Sequence, residues 1–399
     1  MRGWLRGVEL TPSFPCPSIP RCSQTRPLGF CAGDWLASNL RDAGCNRVSQ
    51  NWPDLLRQLI TGHDLPEADA RFAMNSIMAG DASSVQIAAF LVALRSKGES
   101  VIEVAAAADA MRAAATPLDL PGVLVDVVGT GGDGSHTVNI STMAAVVVAA
   151  SGAPVIKHGN RAATSASGSA DVLEALGLPL ELSAAAVTSL VKEIGIGFAF
   201  APTFHPAMSF AGPVRKELGV ATVFNILGPL TNPGRPRAGL IGCADERLAP
   251  VMAEVFARRG DQVIVVRGDD GWDEITPRCA TQVWDTTGGN GRVEHLSIEP
   301  EMFGLQGISV DLLHGEDALY NAAVMRSVFG LDGDVVRVDV VEAVRQVTIV
   351  NAAAALATYQ RTTGRDVTTQ IVDLIRAQMV SARQVVESGA AGELLRRWV

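Results

Sequence analysis

Four glycines, Gly129, Gly131, Gly132 and Gly134, directly follow a short apolar run, Val123–Val128, that is broken only by Asp126. Such a run reads as a mostly buried strand. Glycine lets the chain turn tightly and bring backbone N–H groups up to a ligand. Asn139, Ile140, Ser141 and Thr142 come next and offer three N-cap residue types before the helical run Met143–Ser151. The order is therefore strand, glycine turn, helix N-terminus. The unpaired N–H groups and positive dipole end of that helix suit an anion. A second strand, Pro154–Lys157, ends in His158-Gly159-Asn160-Arg161. No Asp or Glu occurs from Gly134 to Ala170, whereas Lys157 and Arg161 are cationic. In a chain of net charge −9 this predicts a local site for a phosphorylated ligand.

Two familiar phosphate sites do not fit. A Walker A loop needs Gly-Lys-Ser/Thr after its glycines, and none follows. Gly129, Gly131 and Gly134 satisfy G-x-G-x-x-G, but a dinucleotide site also needs an acid about 20 residues on for the ribose hydroxyls. Lys157-His158 stand at that place. The ordered segments GTGGD, NIST and KHGNR instead resemble the anthranilate phosphoribosyltransferases. The resemblance continues through FAPTFHPAM, VRKELG, TVFNILGPLTNP and GDDGWDE, and covers the chain from about Trp52 to its C-terminus.

That resemblance implies transfer of the phosphoribosyl group of 5-phosphoribosyl pyrophosphate to the amine of anthranilate, with loss of pyrophosphate. Bond breaking at an anomeric carbon passes through an oxocarbenium-like state. The protein must hold the sugar, neutralise the leaving group and aim the amine. No covalent nucleophile is required, and the sequence contains no G-x-S-x-G. The implied contacts to the sugar pyrophosphate begin at Gly129, Gly132 and Asp133 and continue at Thr137, Asn139, Ile140, Ser141 and Thr142. They resume at Lys157, His158, Gly159, Asn160 and Arg161, pass through Ala162, Ala163, Thr164 and Ser165, and end at Ser169. Lys157 and Arg161 would supply positive charge to the phosphates. Gly129, Asn160 and Arg215 are the implied anthranilate contacts, with His158 close by. The acidic turn Gly268–Glu274 resembles the family's DGxDE segment, so Asp273 and Glu274, with Ser141, would bind magnesium. The resemblance also implies a pair of ions per monomer; magnesium favours oxygen ligands and substrate phosphates. Trp272 and Met208 stand where relatives often carry Leu and Tyr. A cytoplasmic homodimer is also implied.

These groups need a scaffold. Residues 52–118 read as four short helices, with stripes at Leu55, Leu56, Leu59 and Ile60, at Phe72, Ile77 and Met78, and at Ile87, Phe90, Leu91 and Leu94. Residues 119–399 alternate strands and helices, which predicts an α/β domain with a mostly parallel central sheet. Strands are expected at Val123–Val128, Pro154–Lys157, Gly239–Gly242 and Gln262–Val266. The stretch 183–218 reads as helical and strand-poor, and by resemblance segments near 183–220 rejoin the helical domain. Fold class is thus a small helical domain plus a larger α/β domain, the nucleoside phosphorylase and phosphoribosyltransferase architecture.

At 399 residues and 48% apolar, the chain can bury a large core. No apolar run reads as long and clean enough to span a bilayer. The acidic balance argues against general nucleic-acid binding. Four of the six cysteines lie in the first 50 residues at spacings that fit no metal pattern, so free thiols are expected. Residues 1–51 show no helical period and read as a disordered extension. Their Arg- and Ser-bearing start also has a faint transit-peptide character. Deletion of residues 1–47 should leave activity intact and shift the thermal midpoint little; a fall of many degrees would show that the segment packs. A pyrimidine nucleoside phosphorylase of the same fold would not be expected to carry KHGNR with VRKELG. A nucleic-acid-binding relative without catalysis should be basic around its cleft and lack Asp273 and Glu274.

Overall fold

The computed structural model describes residues 50–162, 166–331 and 336–399. The expectation for residues 1–49 lies outside the described residues, as do Ala163, Thr164 and Ser165.

The N-terminal helices start and stop where side chains satisfy the unpaired backbone groups. Helix α1 (Trp52–Ile60) is capped by Asn51, whose side chain accepts the Asp54 N–H. Helix α2 (Glu67–Ala79) ends on Gly80 at φ 79°, the left-handed cap that favours glycine. Capping boxes open α3 (Ser84–Lys97, Ser83 with Gln86) and α4 (Val101–Ala113, Ser100 with Glu103). Leu55, Leu59, Ile77, Met78, Ile87, Phe90, Leu91 and Leu94 are buried together. The predicted stripe on α1 is narrower than expected: Leu56 is only half-buried and Ile60 is 75% exposed.

The larger part is a seven-stranded sheet in the order β3-β2-β1-β4-β5-β6-β7. Strands β1 (Val125–Gly129), β2 (Val155–Gly159), β3 (Ile196–Phe200), β4 (Ala238–Gly242) and β5 (Gln262–Gly268) are parallel. Strands β6 (Thr281–Asp285) and β7 (Glu294–Ile298) continue antiparallel. The expected strands are present, and three more are added. Strand β3 lies inside the stretch expected to be strand-poor; every one of its residues is buried, so it carries no alternation to betray it.

Chain order fixes where the sheet opens. From β1 the chain passes through α5 (Ile140–Ala150) to β2, and through α6 (Ser169–Leu176) and α7 (Ala184–Ile194) to β3. It then crosses back through short α8 (Ala201–Phe204), α9 (Met208–Leu218) and α10 (Phe224–Leu230) to place β4 on the other side of β1. The carboxyl ends of β1 and β4 thus flank a topological switch point, where open parallel sheets bind ligands. Helices α9 and α10 contribute Ala211, Val214, Phe224 and Leu227 to the core of the N-terminal helices.

After α11 (Leu248–Arg259), three further long elements close the fold: α12 (Ala318–Val328), α13 (Val338–Thr362) and α14 (Ile371–Glu387), followed by α15 (Ala390–Trp398). By length and composition alone α13 could cross a membrane, contrary to the sequence reading. In the fold 78% of its apolar window is buried by protein, so it is the central helix of the larger core.

Candidate active site

The loops at the carboxyl ends of β1, β2 and β5 meet helices α9 and α10 around a cavity of about 880 Å³. That size suits a small-molecule site. Gly129, Gly132, Asp133, Thr137, Asn139 and Ser141 line one wall. Lys157, His158, Gly159, Asn160, Arg161, Ala162 and Ser169 line the next, and Arg215, Asp273 and Glu274 complete it. Two expected contacts are not brought to the wall. Ile140 packs in the core and its N–H donates to Val138 O; Thr142 is wholly buried, with its N–H on Asn139 O.

The glycine turn is shaped by an acid far from it in sequence. The Gly131 N–H donates to Asp273 Oδ2 at 2.7 Å. A Cβ on Gly129 would lie 2.1 Å from Asp273 Oδ2, and one on Gly242 would lie 1.6 Å from Asp273 O. Gly129 and Gly242 are partners in register at the ends of β1 and β4. The Asp273 loop therefore lies across the switch point because neither strand end carries a side chain. Trp272 is buried in the core and its carbonyl accepts the Gly268 N–H, so the larger ring anchors this loop from behind.

Charge is arranged in layers. Burial pushes the Asp273 and Glu274 carboxyls well up; Asp133 beside Asp273, and both Asp273 and Asp133 beside Glu274, push the same way. Glu274 Oε2 is buried without a hydrogen-bond partner among the described residues. Beneath them Lys157 is almost wholly buried. Its ammonium donates to Val127 O at 2.6 Å and to Ser141 Oγ at 3.2 Å. Burial lowers its pKa to about 8, against the pull of Asp126, Glu274 and Asp273. Asp126 in turn accepts from Asn232 Nδ2 at 2.8 Å. The expected phosphate cation thus lines the cavity and is also held by the charge of the acid loop.

Arg161 is also committed. Its guanidinium donates to Asp171 Oδ1 at 3.0 Å and to both oxygens of Glu174 at 2.7 and 2.9 Å. Asn139 does not cap α5; it joins Ser167 O and Asn321 through its amide. Asn321, Asp171 and Asn232 are supporting groups that sequence reasoning missed, since each acts on a partner at least nine residues away.

The other half of the cavity is drier. Arg215 lies on α9 with its guanidinium 5.1 Å from the centre of the Phe224 ring. Burial lowers its pKa, and among the described residues it has no carboxylate partner. His158 and His205 face each other at 5.0 Å between ring centres. The His158 Nδ1–H donates to Gly228 O at 2.9 Å, and His205 makes a backbone hydrogen bond to Thr231. Both Nε2 atoms are buried without hydrogen-bond partners among the described residues. Burial lowers the pKa of His158 to about 3, with the neighbouring His205 adding to it, and that of His205 to about 4. A depressed imidazole pKa keeps the ring neutral above it. Neither ring should therefore titrate between about pH 5.5 and 8, a range in which an ordinary imidazole does. Nitrogen chemical shifts of the two rings check this; a titration midpoint near 6.5 for either would refute it.

The comparisons with known proteins agree with this geometry. Residues 121–391 match the glycosyl transferase family α/β domain, and residues 53–115 match the helical bundle domain of the same family. The anthranilate phosphoribosyltransferase of Salinispora arenicola is 49% identical over 355 residues, which is 88% of this chain and 96% of that protein. The chain belongs to the anthranilate phosphoribosyltransferase family. A family member from Thermus thermophilus has a crystal structure that superposes with a TM-score of 0.76 at 39% identity, covering 86% of this chain and 98% of that one. The Saccharomyces cerevisiae member, in complex with PRPP and Mg, superposes with a TM-score of 0.74 at 27% identity, covering 88% and 98%. The small helical domain and the larger α/β domain with a mostly parallel sheet are the architecture of this phosphoribosyltransferase family.

Proposed function

We propose that the cavity carries the family reaction as follows. The chain is an anthranilate phosphoribosyltransferase: it moves the 5-phosphoribosyl group of phosphoribosyl pyrophosphate to the anthranilate amine, giving N-(5-phosphoribosyl)anthranilate and pyrophosphate. One juxtaposition carries the assignment of roles. The Gly129–Gly134 turn is tied to Asp273, beside Glu274, and the same cavity holds a half-buried Arg215 with no carboxylate partner among the described residues. The turn offers backbone N–H groups to pyrophosphate. Asn160, Ala162 and Ser169 border the sugar phosphate. Arg215 takes the anthranilate carboxylate as a fork, and Asn160 and Gly129 border the ring.

The acid pair fits magnesium. Among the described residues no three His, Cys, Asp or Glu side chains form a cage. Magnesium is usually held by one or two carboxylates together with substrate phosphates, which is what Asp273 and Glu274 beside a phosphate-binding turn provide. Glu274 Oε2 has no other partner among the described residues, and Ser141 Oγ accepts from the Lys157 ammonium. When bound, a pair of ions per monomer would neutralise the departing pyrophosphate. Lys157 holds Ser141 in place and offsets the acids before the ion arrives.

A homodimer in the cytoplasm is part of this proposal. Ile60, Val85, Val92 and Phe210 are exposed on α1, α3 and α9, and α3 packs against both α1 and α9, so these helices offer apolar side chains to a second copy. One assay tests the activity: anthranilate fluorescence should fall on adding phosphoribosyl pyrophosphate with magnesium, and no fall at any magnesium concentration would overturn it.

A further inference from the structure

Asp171, on the first turn of α6, gathers three separate points of the chain. Its Oδ2 accepts the Ala162 N–H at 2.9 Å and the Gly168 N–H at 2.8 Å. Its Oδ1 accepts Arg161 Nη1 at 3.0 Å. Gly168 comes so close that a Cβ would lie 2.5 Å from Ala162 N and 2.8 Å from Asn160 O. The same junction is tied by the Ala170 N–H to Asn160 O at 3.2 Å and by Ser169 Oγ to that oxygen at 3.4 Å. Asn160, Arg161, Ala162, Gly168 and Ser169 all line the cavity, whereas Asp171 does not.

We propose that Asp171 is a positioning residue for the sugar pyrophosphate: it clasps Arg161–Ala162 to Gly168, so that the Asn160–Ala162 backbone and the Ser169 hydroxyl keep their places at the cavity wall. Arg161 serves this clasp with its guanidinium instead of meeting the phosphates directly. The inference rests on the assignment of this wall to phosphoribosyl pyrophosphate.

Substitutions separate the parts. In Asp171→Ala both backbone N–H groups and the guanidinium lose their acceptor. In Asp171→Asn the amide oxygen can still accept the two N–H groups, but the amide nitrogen, a donor, faces Arg161. Glu174→Gln removes only a charge pair whose partners are about half exposed, 48% and 53%, and leaves the clasp whole. The experiment is equilibrium titration of each enzyme with phosphoribosyl pyrophosphate and magnesium in the absence of anthranilate, followed by steady-state kinetics with each substrate varied.

Asp171→Ala should weaken phosphoribosyl pyrophosphate binding about tenfold or more, the scale of losing hydrogen bonds to a charged acceptor. Its KM should rise in parallel and by more than the anthranilate KM, which moves less because only Asn160 of the clasped residues borders both substrates. Asp171→Asn should fall between the two, and Glu174→Gln should stay within about twofold of wild type. Unchanged binding in Asp171→Ala overturns the clasp, and so do equal rises in both KM values with a lowered Tm, which mark a general loss of structure. If Asp171→Ala does not fold, unchanged binding in Asp171→Asn overturns it. Failure of the wild-type enzyme to bind phosphoribosyl pyrophosphate would overturn the assignment of the wall itself, whereas wild-type binding beside an unaffected Asp171→Ala would overturn the clasp alone.

Discussion

Replacing Asp273 and Glu274 together by alanine should lower kcat/KM by about 10²–10³, the scale of removing one or more electrostatic stabilisers of developing charge. The two carboxyls lie where burial already holds their pKa values up, with Asp133 adding to both and Asp273 adding to Glu274, so the protein keeps acidic groups together at a cost. Lys157 meets part of that cost from below. Without a divalent ion the acids would oppose a pyrophosphate in the adjacent turn, so exhaustive chelation should abolish turnover and added magnesium should restore it. Full activity after chelation would remove the metal from the mechanism. The double substitution has a structural readout as well. Gly131 loses the Asp273 oxygen that its N–H meets, so phosphoribosyl pyrophosphate binding should weaken even where magnesium is saturating.

Arg215→Ala should raise the KM for anthranilate by about tenfold or more, corresponding to ~1.5–3 kcal/mol for a lost charged hydrogen bond. The KM for phosphoribosyl pyrophosphate should move little. Arg215 lies on α9, a different element from the glycine turn, and its guanidinium rests on Phe224 with no carboxylate among the described residues to neutralise it. Anthranilate brings the missing carboxylate, and holding it as a fork aims the neighbouring amine. Arg215→Lys should recover only part of the loss, because an ammonium cannot make two parallel hydrogen bonds from one plane. A fall in kcat beside the rise in KM would show that orientation as well as binding is lost. Kinetics with each substrate varied in turn decide this: an unchanged anthranilate KM and kcat, or an effect confined to the sugar pyrophosphate, would place Arg215 in the wrong half of the site.

The sequence revealed those parts of the fold whose causes are local. The strand before Gly129, the helix after Asn139 and the strand before His158 each end in residues that turn or cap a chain, so their places could be read directly. Strand β3 could not, because a segment buried on every side has no periodicity. The β6–β7 hairpin was missed for another reason: β6 alternates, but β7 is an edge strand of mixed polarity. In the site, residue types were legible and their partners were not. The window without acids ends at Asp171, which is the residue that holds Arg161. For Lys157 the linear sequence does not disclose its neighbours: Asp126, Glu274 and Asp273 all act on its buried ammonium.

The pairing of Gly129 with Gly242 sets a limit on how this chain can vary. A mutational library would meet a barrier at both positions: even the methyl of alanine would overlap Asp273 atoms at 2.1 and 1.6 Å, so no neighbouring codon offers a milder step. Compensation would require lifting the acid loop, and the loop is what the chemistry uses. The two glycines can therefore serve as a diagnostic when distant sequences of this fold are sorted. A sequence that keeps both can seat the acid loop over the sheet; one that has lost Gly242 must lift the Asp273 backbone, and one that has lost Gly129 must turn the Asp273 carboxylate away.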